Sequence, residues 1–212
     1  MATRGHDAAD NRAVRSGAPA RSSGAETKAA IYSAAVDLFA EKGYAATSIR
    51  AIAAAVGIEP ASVYNHFSNK EEILYTIILN STEESIALIE DYVAHAGDSP
   101  AERLKAATKA HVIFHCLNHK TAHIGWSDLH SLSPALYKKV ALVRDHYEAI
   151  FRRELLAGIE SGQLVDTNPT LAVNGIIGIG SRAAVWFRPD GPMTDAEVGE
   201  YYGDFVVRAL RK

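Results

Sequence analysis

The chain of 212 residues has one cysteine, Cys116. An intramolecular disulfide is therefore excluded, which fits a reducing compartment. Charge of one sign is also lacking. The formal net charge is −3, so any surface that meets a polyanion has to be local. No apolar run reaches the roughly 18 residues that would argue a membrane span. The longest, residues 171–185, is interrupted by Asn174, Ser181 and Arg182. The first residues carry no apolar segment of the secretory type. Nor does any stretch show the sustained alternation of a half-buried strand. These absences set the expectation of a soluble, cytoplasmic, all-helical protein with no membrane partner.

Hydrophobic residues make up 48% of the chain, enough for a sizeable core. Residues 1–24 are rich in Ala, Gly, Ser and Arg without periodicity, which predicts a disordered basic arm. With four arginines (Arg4, Arg12, Arg15, Arg21) against two aspartates, it reads as a solvated tail or as an arm that brushes DNA phosphate. From Glu26 onward apolar residues recur at three- and four-residue spacing, beginning with Ile31, Ala34, Ala35, Leu38 and Phe39. Helix punctuation then repeats along the chain. Gly43 closes the first helix. Ser48 caps the second, and Pro60 opens a third that ends near Phe67. Ser68 to Glu71 reads as a capping box for a long helix to about Ala96. Further starts fall at Ser99-Pro100, Ser133-Pro134, Asn168-Pro169 and Thr194 to Glu197, with a shorter helix at about 122–132. About nine helices are expected: three short ones, then a larger bundle. The division drawn is 1–24 arm, 25–85 head and 86–212 bundle.

The informative stretch is "GIEPASVYNHFSNKEEIL", residues 57–74. Two short helices joined by a glycine corner and backed by a first helix form a helix-turn-helix, whose second helix enters the DNA major groove. Val63 and Phe67 are placed to anchor that helix from behind. Pro60, Ala61 and Ser62 are small enough for close approach, Ala61 to a thymine methyl and Ser62 to a base edge or phosphate. Tyr64 and His66 reach phosphate. Lys70 stands at a helix start that itself favours an anion. Thr47 and Ser48 are candidate phosphate contacts, and Arg50 has the fork to read guanine. A generic helical hairpin with a polar surface is the plain alternative.

Residues from Thr27 to about Leu88 resemble the DNA-binding domain of the TetR/AcrR family of transcriptional regulators. The resemblance rests on Leu38-Phe39-Ala40, Lys42-Gly43-Tyr44, Thr47-Ser48-Ile49-Arg50, Ile52-Ala53, Val56-Gly57-Ile58, Val63-Tyr64-Asn65-His66-Phe67 and Asn69-Lys70-Glu71. Asn65 stands where the family often has an aromatic residue or histidine. The resemblance implies that Arg50, Pro60, Ala61 and Ser62 lie near bases. It implies that Thr47, Ser48, Tyr64, His66 and Lys70 hold phosphate. It also implies a homodimer on a palindromic operator, with a C-terminal domain that binds a small effector.

The second half offers three features. First, Ala172, Gly175, Gly178 and Ala183 form a small-residue side, and Val198, Tyr202, Phe205, Val206 and Leu210 a stripe. These two helices are the expected dimer pair, with intramolecular core as the alternative. Second, Gly178 to Ala183 spells G-x-G-x-x-A. It lacks the preceding strand and βαβ unit of a dinucleotide site. Third, His111, His115, His119 and His123 recur every four residues beside Cys116. A pair such as His111/His115 can grip a metal ion, so a metal-sensing regulator is the alternative reading. Four such steps over-rotate, so the four cannot share one ion. No metal or cofactor is expected. No enzyme is expected either: a G-x-S-x-G elbow is missing, and His115 and Cys116 point about 100° apart on a helix.

The C-terminal half is similar to actinobacterial regulators of fatty-acid, steroid and other acyl-CoA catabolism. The segments that carry this are Leu132-Ser133-Pro134, Arg144 to Glu148, Gly158 to Gly162 and Trp186 to Pro192. That similarity implies an acyl-CoA thioester as effector. Phe114, His115, Trp126, Tyr147 and Phe151 are candidates for its apolar part, Arg144 and Arg182 for its anionic part. A buried ion pair is the alternative use of those arginines.

Overall fold

The computed structural model describes residues 23–212. The expected arm therefore lies almost wholly outside the described residues. Its last two positions belong to the first helix. Ser23 is the N-cap of α1 (Gly24–Lys42). Its hydroxyl accepts from the Glu26 N–H while the Glu26 carboxylate accepts from the Ser23 N–H, a reciprocal box that satisfies two otherwise unpaired donors.

α2 (Ile49–Val56) and α3 (Pro60–Val63) follow, joined through Gly57 in the left-handed region at φ 75°. A side chain there would be strained, so the corner needs glycine. Then come α4 (Lys70–Ala94), α5 (Pro100–Leu117), α6 (His119–Ser127), a 3-10 turn (Leu129–Ser131), α7 (Pro134–Glu160), α8 (Pro169–Trp186) and α9 (Asp195–Leu210). Among the described residues there are nine α-helices and no strand, only a single bridge between Leu164 and Arg211. The all-α architecture expected from the sequence is the one observed.

Three local expectations change. α3 is one turn long and stops at Val63. After it Asn65 and His66 donate to the carbonyls three residues back, Ser62 and Val63, and tighten the chain into a turn. α4 is capped by Asn69, which accepts from the Glu72 N–H; the Glu72 carboxylate in turn takes both the N–H and O–H of Ser68. The histidine ladder does not run on one helix. α5 ends at Leu117, Asn118 leaves helical geometry, and His119 opens α6.

Two main cores share α4. Near its start Ile73, Leu74, Ile77 and Ile78 pack with Ile31 and Phe39 of α1, Ile52 of α2, Val63 and Phe67. That cluster also takes in Ile124 of α6 and Val140 of α7, so the head is bolted to the bundle by apolar contact. Further along, Ile86, Ile89 and Val93 join α5, α7, α8 and α9 around Leu104, Phe151 and Val206. α9 lies close on α5 because Gly199 and Gly203 have no side chain. A Cβ at Gly199 would stand 2.7 Å from Ile113 Cγ1, and one at Gly203 would stand 3.0 Å from the Lys105 carbonyl oxygen. Lys105 then bridges Glu200 and Asp204 across the same seam at 2.6 and 2.8 Å.

Candidate DNA-binding face and effector cavity

The head holds its reading elements from behind. Val63 and Phe67 are buried at the back of α3, as their spacing predicts. Ser48 caps α2, its Oγ accepting from the Ala51 N–H at 3.1 Å. In front of the core, Ser48, Arg50, Ala61 and Tyr64 are exposed, and Pro60, Ser62 and His66 half-exposed.

Of the expected phosphate contacts, the Thr47 side chain is turned inward, and Lys70 is held partly inward. Thr47 is only 2% exposed. Its hydroxyl donates to the carbonyls of Leu38 and Gly43, which ties the α2 entry to the end of α1. The Lys70 ammonium turns inward and donates to the carbonyls of Tyr44 and Thr47 at 2.8 Å each, over the Tyr44 ring at 4.2 Å. Both residues fix the geometry of the head: Thr47 is buried, while Lys70, half-exposed, uses two of its three N–H groups on carbonyls. Sequence spacing does not distinguish an outward lysine from one folded back onto carbonyls.

The bundle contains a cavity of about 150 Å³ between α4, α5, α6, α7 and α8. Of the residues expected to form an effector pocket, Phe114, His115, Trp126, Arg144 and Tyr147 line it. Phe151 does not. It is fully buried one layer behind, its ring centroid 5.7 Å from His111 and 5.6 Å from Tyr147. Arg182 does not line it either. It lies on a separate open groove of about 940 Å³, shared with Lys120, His123 and Arg188. Cavity and groove meet at Ala122, Trp126 and Ser181. The sequence reading missed Ser81, Ser85 and Asn174 in the cavity wall. Ser81 and Ser85 interrupt the inward apolar face of α4 at a spacing of four, and that is the signal that could have found them.

Burial sets the charge states of the wall. Arg144 makes no ion pair among the described residues, so the plain alternative of a buried pair does not hold for it. Its guanidinium donates to the Gly125 carbonyl at 2.8 Å, and burial pulls its pKa down. His115 is driven well below the usual histidine range by burial, then by His111 and Arg144 beside it, and its ring is neutral. His115 Nδ1 is buried without a hydrogen-bond partner among the described residues.

Behind the wall, His111 is fully buried with its pKa lowered to about 4, chiefly by desolvation. Its Nε2 is 3.0 Å from the Ile177 carbonyl, which only accepts, so Nε2 carries the proton. Nδ1 is then the acceptor for the Tyr147 hydroxyl. Burial raises the Tyr147 pKa, so the phenol keeps the proton it donates. Both nitrogens of His111 are thereby engaged, and no lone pair is left for a metal. That geometry removes the His111/His115 metal grip from consideration. His119 and His123, displaced onto α6, are exposed. The glycine fingerprint also has its explanation here. A Cβ on Gly180 would sit 2.1 Å from His111 Nε2, so this glycine makes room for the imidazole. Cys116 is buried and its thiol is pushed up to about 12 by burial, which makes it unreactive.

A helix-turn-helix head joined to a helical bundle with an internal cavity is the architecture of a ligand-responsive DNA-binding regulator. Comparison with known proteins specifies the class. The family described as "Bacterial regulatory proteins, tetR family" matches residues 31–76, and "Tetracyclin repressor-like, C-terminal domain" matches residues 97–210. The chain belongs to the TetR family of DNA-binding transcriptional regulators. It is 28% identical over 182 residues to the HTH-type transcriptional repressor KstR2 of Mycobacterium tuberculosis, covering 84% of this chain and 90% of that one. Among solved structures it is similar to the TetR family regulator PfmR of Thermus thermophilus, at 35% identity and TM-score 0.77, over 86% of this chain and 99% of the other. The structure of AibR in complex with isovaleryl coenzyme A and operator DNA shares the fold. It has 24% identity and TM-score 0.76 over 87% of this chain and 98% of that one.

Proposed function

We propose that the chain is a transcriptional repressor that holds a palindromic operator as a homodimer and is released by an acyl-CoA thioester. The observation that carries the effector reading is the shape and charge of the site. A small cavity with Arg144, which makes no ion pair, and Glu148 in its wall opens beside a large groove where Lys120, Arg182 and Arg188 outnumber Asp37 and Glu41. A thioester has matching parts: a compact acyl group with a carbonyl acceptor, and a long anionic nucleotide. KstR2, named as a repressor, and AibR, seen with isovaleryl coenzyme A, support the reading by likeness.

The dimer reading rests on α8 and α9. Leu171 of α8 and Tyr201 and Phe205 of α9 are large apolar residues left exposed. Gly175 faces open space. Such a patch marks an interaction surface. The stripe expected on α9 divides: Val198 and Val206 pack inward, and Phe205 turns out. Two heads about one helical turn apart, roughly 34–36 Å, would require a palindrome.

Release follows through α6. One side of it lines the cavity with Thr121, Ala122, Gly125 and Trp126. Its other side enters the head core with Ile124, and Lys120 pairs with Asp37 of α1 at 2.6 Å. A ligand that displaces α6 therefore tilts α1 and the reading helices with it. Swinging occupancy from 99:1 to 1:99 requires a preference of about 5.5 kcal/mol for the released state. The test is fluorescence anisotropy on the upstream intergenic DNA, titrated with acyl-CoA thioesters and their free acids. Release by a thioester and not by its acid is expected, and Arg144→Ala should weaken that release without weakening DNA binding. Release by neither, on DNA that binds, would overturn the acyl-CoA reading.

A further inference from the structure

The groove and the cavity differ greatly in size, and the cavity wall at Tyr147 is backed by further buried rings. Its volume of about 150 Å³ is that of an engineered apolar cavity that accepts benzene, so it holds a group of about six carbons. A fused ring system or a long acyl chain would exceed it, and seating one inside would require the wall to move. The most buried aromatic side chains of its wall are Tyr147 and Phe114. Tyr147 is braced by its hydrogen bond to His111, His111 by the Ile177 carbonyl, and both pack on Phe151. All three braced rings are buried in close contact, and Gly180 admits the imidazole by the absence of a side chain. Close-packed interiors yield little, and displacing His111 would leave the Tyr147 hydroxyl without its acceptor.

We propose that the effector's buried group is a short acyl chain, of about four to six carbons, and that His111 fixes this limit from behind by holding Tyr147 in place. His111 acts here as a positioning residue, because it does not line the cavity itself. The inference rests on the acyl-CoA reading of the site and narrows it to a class: short-chain thioesters, such as those left late in chain shortening.

Isothermal titration of the full-length protein with straight-chain acyl-CoA thioesters of two to sixteen carbons, and with CoA alone, tests it. Affinity should rise to a maximum at four to six carbons and fall at least tenfold by twelve. A dodecanoyl or hexadecanoyl thioester that binds as tightly as the hexanoyl one overturns the length limit while leaving the acyl-CoA reading intact. Failure of every thioester to bind better than CoA overturns both. Two variants locate the limit. His111→Ala should move the optimum to longer chains, a shift that a merely structural role would not produce. Ser85→Val, which adds bulk to the wall without opening the core, should move it to shorter ones. An unchanged optimum in a folded Ser85→Val protein removes this cavity as the acyl site. An unchanged optimum in a folded His111→Ala protein removes His111 as the determinant.

Discussion

The head and the cavity are built on opposite plans. In the head, the interior is mostly apolar, and the polar groups that face outward are compressed into residues 48–66. In the bundle, the polar chemistry is inside, and the cavity draws on α4 through α8. The first plan needs a rigid support and tolerates little internal choice. The second buries Tyr147 and partly buries Arg144 and His115, and each of them has its pKa moved by that burial. The difference teaches where each part is vulnerable. The head fails when its support is cut, and the cavity fails when its partners are rearranged.

The sharpest way to break the comparison is to cut that support. Phe39→Ala removes a fully buried ring from the head core and should cost about 3–5 kcal/mol. Chemical denaturation should show the loss, with DNA binding lost as well. Next comes Gly180→Ala, which drives a methyl into His111. Overpacking of that kind costs about 1–3 kcal/mol. The expected result is a folded protein that binds DNA and no longer answers its effector, read by anisotropy with and without ligand. Arg50→Ala should do the reverse. If Arg50 meets a guanine, its loss costs about 1–3 kcal/mol of operator affinity and leaves effector binding by calorimetry unchanged.

The smallest effect is expected where the two plans touch. The Glu71 carboxylate, in the first turn of α4, accepts a hydrogen bond from the Ser133 N–H at the start of α7, the helix that carries Arg144 and Tyr147. That bond holds the Glu71 pKa below the usual carboxylate range, and the side-chain bond to Ser133 adds to it. A lowered carboxylate pKa means the contact is fully formed above the ordinary glutamate pKa. It is lost as pH falls through the depressed value. Glu71→Gln should leave operator affinity and effector affinity each nearly as they were. It should reduce the effect of one on the other by a fewfold. Anisotropy titrations at fixed effector concentration measure this directly, and an unchanged coupling would assign the contact to α7 capping alone.

Most of the head was legible because its signals are local. Gly57 announces its corner, Pro60 its helix start, and Val63 and Phe67 their shared burial through spacing alone. The inward bonds of Thr47 and Lys70 were not legible, because a hydroxyl or an ammonium serves phosphate and carbonyl oxygen equally well. Which one it meets depends on how α1 and α4 converge. In the bundle, five of the seven expected pocket residues do line the cavity. Phe151 and Arg182 share their helices with cavity residues, but Phe151 lies one layer behind and Arg182 turns to the groove.

By itself, the sequence determined the helical class, the position of the reading helices and the family, because periodicity, capping and turn chemistry act over a few residues. Only the tertiary structure decided that His111 is a neutral brace, that Gly180 is a socket for it, and that Arg144 stands unpaired in a cavity wall. Those facts depend on the approach of α5, α7 and α8 to one another, and no single helix encodes the distance to its neighbours.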